Sequence, residues 1–350
     1  LPGFKVLRGV SQKYTQRVGL GCAAMLGALP ALASEPLYVK NLSPVAGLFG
    51  LPSQRDAATT GQGEWEVALH GSLANHYVNE SHSTESLNFD GETGRVALEL
   101  RYGIARDWDI QLEVPWLDQS GGDLDHLIDD WHDFWGMSDG GRSKVPRDVL
   151  DYRYTSAEGG FSLQDDTSGI GDVSLAVNYA VYKFGTGDDD DFLGSGADDA
   201  YIALRYSGER LSGLPLSWHG QVGYLRAGDS DVLEGLQEKN LWFAGLTVDW
   251  RFAQDWSLIA QLDSHAAPMD SSLTGVGDDA VLGTLGTRWY FAPNWSVDIS
   301  IVEDLRVETA PDVTFQASVR RQAFAGALRR SDNLRRRRPA QMVTRCHRAL

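Results

Sequence analysis

Along residues 102–116, YGIARDWDIQLEVPW, apolar and polar positions alternate from Trp108 onward. Trp108, Ile110, Leu112, Val114 and Trp116 fall on one side; Asp109, Gln111, Glu113 and Pro115 fall on the other. A period of two predicts a strand with two chemically different faces. The stretches 250–262 and 289–301 repeat the build: an aromatic, a tight Ala-containing turn with Asp or Asn, a Trp, then alternation. Similar runs predict further strands near 63–77, 94–103, 108–116, 148–156, 172–182, 199–207, 215–225, 240–251, 256–264, 279–290, 295–302 and 311–320, about twelve in all. No later segment is apolar enough for a spanning helix.

The tryptophans suggest which face meets what. Trp108 and Trp116 sit eight residues apart on the apolar face, as do Trp242 and Trp250. Eight tilted strand residues rise roughly 19 Å, close to the ~25 Å apolar band edged by aromatic girdles on a membrane barrel. A soluble barrel or sandwich would turn the same face inward, with no reason for Trp at both margins. The expected fold is therefore all-β, a transmembrane antiparallel up-and-down β-barrel of about twelve strands, with one extracellular loop helix. Tyr102 and Trp108, Trp250 and Trp256, and Trp289 and Trp295 each flank a short turn with equal parity. With Trp116 and Trp242 they are the candidate membrane-interface aromatics. If both termini are periplasmic, these turns are periplasmic too. The long segments 78–93, 117–147, 183–198, 226–239 and 265–278 then face outward. Residues 156–172 resist this scheme, being long where a short turn is due.

Charge divides the chain. The net charge is −17, but residues 1–33 carry about +4 and the Arg-rich residues 320–350 about +9, which leaves about −30 on the middle. So acidic a middle argues against a nucleic-acid partner. Cys22 and Cys346 both lie outside it, leaving no disulfide or cysteine-metal framework there. Arg17, the apolar run that follows and Ala31-Leu32-Ala33 before Ser34 read as a secretory signal. The expected organisation is a signal peptide at 1–33, a periplasmic segment at 34–62, a barrel at 63–320 and a disordered Arg-rich tail at 321–350.

The polar face should line a lumen with Glu66, Glu99, Arg101, Asp109, Glu113, Asp249, Arg251, Asp263, Arg288 and Asp298. Acids outnumber bases, so an open lumen would favour cations; alternatively, charges facing one another pair and close it. Residues 124–148 combine an apolar stripe at helical spacing with His126, Asp129, Asp130, His132, Asp133, Asp139 and Arg142, expected as a loop helix on the rim or a lid. The acidic loop 185–199 could hold cations that bridge surface glycolipid, though like-charge runs are more often solvated. Ser217 with His219, and Ser264 with His265, are the nearby pairs that a barrel hydrolase would draw on. No acid partner follows from spacing, so no catalytic residue is assigned, and no metal or other cofactor is expected.

NLSPVAGLFGLPS (41–53), YGIARDWDIQLEVP (102–115), DDWHDFWGMSDGGRSKVPRD (129–148), GIGDVSLAVNY (169–179) and APDVTF (310–315) resemble a family of exported Gram-negative proteins of unknown function. The resemblance implies an outer-membrane barrel and no established activity. The expected function is a passive channel or transport protein with an acidic lumen, or else a structural or surface-interaction barrel with a closed lumen. The expected partners are outer-membrane lipid, lipopolysaccharide and the barrel-assembly machinery, with the barrel itself monomeric.

Overall fold

The alternating runs close into a cylinder. In this computed structural model, residues 34–122, 124, 148–209, 211–306 and 309–325 are described. The strands are β1 (Glu64–His82), β2 (Glu85–Ala105), β3 (Trp108–Ser120), β4 (Asp151–Thr155), β5 (Gly160–Leu163), β6 (Thr167–Ile170), β7 (Val173–Val177), β8 (Ala180–Phe184), β9 (Asp199–Gly208), β10 (Leu216–Arg226), β11 (Asn240–Ala253), β12 (Trp256–His265), β13 (Ala280–Ala292), β14 (Trp295–Asp304) and β15 (Val313–Ala325). Neighbours pair antiparallel around the wall, and β15 returns to pair with β1. Closure leaves the wall no free edge, the condition for a sheet in lipid.

Twelve wall strands emerge from these fifteen. β6 and β7 both pair with β3 and form one wall strand, shifted by one residue between Trp116↔Ile170 and Glu113↔Ser174. The bulge lies at Gly171 and Asp172, where Gly171 N–H donates to the Pro115 carbonyl. β4 and β5 stand outside the wall as a hairpin on the upper part of β2, pairing with Ser86–Asp90.

The expected count of twelve is thus reached through two offsetting differences. Residues 148–156 give the β4 hairpin rather than a wall strand, and residues 172–182 give two wall strands, β7 and β8, joined at Asn178 and Tyr179. Alternation runs unbroken through that two-residue turn, which hides it. Asn178 takes the left-handed conformation (φ 50°) that Asn tolerates. Its side chain accepts from Asp109 N–H and donates to the Asp107 carbonyl, tying two neighbouring turns together. The excess length of 156–172 is explained: it belongs to the long-loop end, and the short turn due there is Asn178-Tyr179. Residues 78–93 are no loop either, because β1 and β2 continue to a turn at Ser83 and Thr84. β15 runs past the expected boundary at 320 to Ala325.

The repeated Ala-x-Asp/Asn-Trp motif closes two-residue hairpins. Ala105 pairs with Trp108, Ala253 with Trp256, and Ala292 with Trp295, each beside a register shift. Asp107 and Asn294 supply positive φ there (61° and 64°). All three hairpins lie at one end of the barrel, with the chain's entry into β1.

The outer face carries the apolar belt. Trp108 and Trp116, at opposite margins of β3, are 53% and 50% exposed. Trp242, Trp250, Trp256 and Trp289 are also exposed, and Tyr102 and Trp295 share this face with partial cover. Near the short turns the Trp256 and Trp289 rings stack 5.8 Å apart, and Trp65 leans on Tyr102 at 4.6 Å. Between the margins lie exposed Leu98, Leu112, Leu246, Leu262, Leu285 and Ile299. Leu246→Arg, at the middle of this belt, is expected to cost about 2–4 kcal/mol of folding free energy, measured by urea unfolding in phospholipid vesicles.

Candidate functional site

Inward positions along the strands are mostly polar, with an apolar set at Ile259, Ala280, Leu282 and Val302 that clusters with Leu37 and Val39, and residues 34–62 fill the space between them. The sequence reading placed this segment outside the barrel, in the periplasm. Instead it enters near the short-turn end at Ser34, rises to a 3-10 turn at Ala46–Leu48, and descends to Gly63 before β1. It has no periodicity to betray this, and Pro36, Pro44 and Pro52 keep it out of regular structure. Leu37 N–H, Gly50 N–H and Thr60 N–H donate to wall side chains rather than to a ladder of the segment's own, whereas Arg55 Nε and Nη1 and the Thr60 hydroxyl are buried without a hydrogen-bond partner among the described residues.

Near the short turns, Arg101 is the hub. It contacts Glu35 of the segment (2.5 Å), Glu99 of its own strand (2.8 Å) and Glu66 of β1 (3.5 Å). Arg320 also approaches Glu35, at 3.4 Å. Burial alone would push the Glu35 carboxyl up; Arg101, then Arg320 and Arg55, outweigh this and hold it below the usual carboxylate range. Arg288 grips Asp298 through two bonds (2.6 and 2.8 Å) and donates to the Glu35 carbonyl. Asp109 receives Arg55 at 3.4 Å and Thr60 N–H at 3.0 Å.

Midway up, Tyr38 stacks on His70 with centroids 3.8 Å apart, donates to Glu113 and accepts from Arg95. Arg95 also pairs with Glu113 at 2.7 Å. Lys40 lies 3.7 Å from Glu113 and donates to the Leu51 carbonyl; burial pulls its ammonium down from the ordinary lysine value, against the pull of Glu113. Gln54 donates to Asp263, and Leu37 N–H donates to Gln261. Higher still, Lys183 joins the segment to the loops, reaching Asp172 (2.6 Å), Ser195 (2.6 Å), Asp199 (3.2 Å) and the Leu48 carbonyl (3.1 Å). Gly50 N–H donates to Asp199, and a Cβ at Gly50 would lie 3.2 Å from the Lys183 Cβ, a tight contact that would need that side chain to shift by a few tenths of an ångström. Above this level Leu48, Phe49 and Leu51 join Phe89, Tyr152, Tyr154, Phe192, Leu233, Leu241 and Phe243 in an apolar cap at the long-loop end. Two cavities between segment and wall are small: one of about 60 Å³ beside Lys40, Glu113 and Lys183, another of about 20 Å³ beside Arg55 and Gln111.

Of the ten expected lumen positions, Glu99, Arg101, Asp109, Glu113, Asp249, Arg288 and Asp298 are buried inside. Asp263 points inward to Gln54 and Gln261, and Glu66 is half-buried beside Arg101. Arg251 sits at the rim, over the Tyr290 ring at 4.3 Å. The ten expected lumen positions leave out Lys40, Arg55, Arg95, Lys183, Arg205 and Arg320, whose charges offset the expected excess of acid, although Arg95 falls on the polar face of the expected strand 94–103. Arg95, Lys183, Arg205 and Arg320 have inward parity on their strands, the one signal that could have found them.

The loop-helix candidates His126, Asp129, Asp130, His132, Asp133, Asp139 and Arg142 lie outside the described residues, as do 1–33 and the tail beyond 325. In the acidic loop, Asp198 accepts from Tyr182 and Gly185, and Asp199 is held by Lys183. Among the described residues no His, Cys, Asp and Glu side chains cluster as a metal site. The paired serines and histidines are engaged elsewhere: His219 with Ser34 and Ser207, His265 with Asn41 and the Ala266 carbonyl, and Ser264 with the Ala280 carbonyl. Arg288→Ala strands the buried Asp298 carboxylate and is expected to destabilise the fold by about 3–5 kcal/mol, read as a lowered urea midpoint.

The COG4313 outer membrane channel from Pseudomonas putida F1 is similar at 13% identity and a TM-score of 0.50, covering 77% of this chain and 98% of that one. The CymD monoaromatic hydrocarbon channel (13% identity, TM-score 0.37, 80% and 91% covered) and the NanC porin (8%, 0.39, 73% and 98%) are more distant. At such identity the first likeness speaks to the fold, and the other two carry no weight. Among curated proteins none matches significantly. The family profile described as "Protein of unknown function (DUF3187)" matches residues 16–322, and the chain belongs to that family.

Proposed function

We propose that this protein is a passive outer-membrane channel for small hydrophilic solutes, closed at rest by residues 34–62. One observation carries the reading: below the cap, charged and amide groups of the segment are held to the wall by ion pairs and hydrogen bonds at several levels, alongside the apolar cluster that Leu37 and Val39 form with Ile259, Leu282 and Val302. A barrel needing only a permanent filling would be as stable, or more so, with apolar side chains, because burying ion pairs gains little. Charges on both surfaces instead let water re-enter when the segment withdraws, since each group then trades its partner for hydration.

The apolar belt with aromatics at both margins supports a membrane location, and the kinship in fold with an outer-membrane channel supports that membrane being the outer one. The short-turn end would then face the periplasm and the long-loop end the exterior, among lipopolysaccharide. Delivery would rest on the barrel-assembly machinery, and a closed wall needs no second copy. The filled lumen equally suits a structural barrel without transport, and conductance separates the two.

In planar bilayers the chain with residues 35–60 deleted is expected to give steady current steps, and the intact chain rare ones. Lys40→Ala with Arg55→Ala, which leaves every wall residue in place, is expected to raise the open fraction several-fold. Silence from all three would leave the structural barrel and remove the channel.

A further inference from the structure

The geometry points to a built site for a primary ammonium at the short-turn end of the lumen, and to its occupant: the α-amino group of Ser34, freed by cleavage after Ala33. This inference rests on residues 34–62 being the plug. Its starting point is Asp249, a buried carboxylate on β11. Among the described residues its ion-pair partner is Arg288 Nη1, at 3.9 Å. That guanidinium is already committed, through Nε and Nη2 to Asp298 and through Nη1 to the Glu35 carbonyl. The close contact of Asp249 is the Ser34 hydroxyl, which donates to it at 2.9 Å. A buried carboxylate served by one neutral hydroxyl and one distant, occupied cation is costly, and a nearby cation would relieve it.

Ser34 brings that cation. Its hydroxyl also lies 3.1 Å from His219 Nε2, so the residue is held from two strands. The nitrogen of a serine lies roughly 3–4 Å from its own hydroxyl oxygen, so the Ser34 nitrogen is within about 7 Å of the Asp249 carboxylate before any adjustment. Within an intact precursor this nitrogen is a neutral amide. Cleavage at the Ala31-Leu32-Ala33 signal hydrolyses the Ala33–Ser34 amide, water supplying the new carboxylate and the amine, which is protonated at neutral pH. Of the other charged groups around Ser34, Glu35 pairs with Arg101 and Arg320 and Arg55 with Asp109, while Arg205 donates to the Asn178 carbonyl and keeps its positive charge. Asp56 faces His219 Nδ1 at 3.5 Å and adds negative charge on its far side. Export processing then supplies the charge that fastens the plug.

Asp249 raises the ammonium's pKa above its unfolded value of about 8. Its stabilisation is complete below that value and is lost as pH climbs through the raised one. The test compares the mature chain starting at Ser34 with the same chain carrying Gly-Gly before Ser34, each with and without Asp249→Asn. Trypsin cleavage after Lys40 and Arg55 reports plug opening, and the ratio between chains at each pH cancels the protease's own profile. His219 is present in all four, so a difference between them belongs to the amine or to Asp249. At pH 6.5 the extended chain should be cut about tenfold faster than the native one, the equivalent of one pKa unit. The ratio should fall toward one by pH 9.5, and Gly-Gly should add nothing once Asp249 is Asn. A ratio that does not change with pH, or additive effects of extension and substitution, would overturn the site. So would an intact mass showing that the mature chain begins at another residue. Bilayer current does not enter this readout, so a silent unplugged barrel would remove the channel and leave the ammonium site standing.

Discussion

A charged side chain held away from water must find a counter-charge, and that requirement organises the interior of this barrel. Arg101 shows how: one partner comes from its own strand, one from β1, and one from Glu35. Two of the three are fixed by sheet register; the third arrives on a segment with no place in the sheet. Each ion taken out of water costs several kcal/mol unless its partners are well placed, so wall and plug depend on one another. A barrel emptied of residues 34–62 would have to admit water.

The lumen is divided along its axis. Toward the short turns it is ionic, and toward the long loops it is sealed by an apolar cluster that joins Leu48, Phe49 and Leu51 to loop side chains. The two closures respond to different conditions. Ion pairs weaken in salt where water reaches them, whereas apolar contacts tighten in salting-out ions such as sulfate. Lys183 links the two levels, because its ammonium touches the plug backbone, the bulge residue Asp172 and the loop residue Ser195.

Much of the wall was legible because a strand advertises itself locally. Trp108 to Trp116 shows both faces within nine residues, and the inward parity of Glu99, Arg101, Glu113 and Asp298 follows from the same count. The misreadings arose where local rhythm is indifferent to topology. Val177 to Ala180 turns back without breaking alternation, and residues 151–155 alternate whether they sit in the wall or on β2. The plug was not legible, since its partners lie far away in sequence: Glu35 and Arg288 are 253 positions apart, Leu37 and Gln261 are 224 apart. Nothing in a window of ten or twenty residues could reveal them.

The seam between β1 and β15 bears on the order of events during biogenesis. The strand made first must pair with one ending at Ala325, so the cylinder cannot seal until nearly all of the described chain has been synthesised. Until then both border strands expose unpaired backbone, the condition that invites misassociation. Arg320 lies in the sealing strand and faces Glu35. Sealing the wall and neutralising the interior therefore coincide, and a chain that stops short would fail at both together.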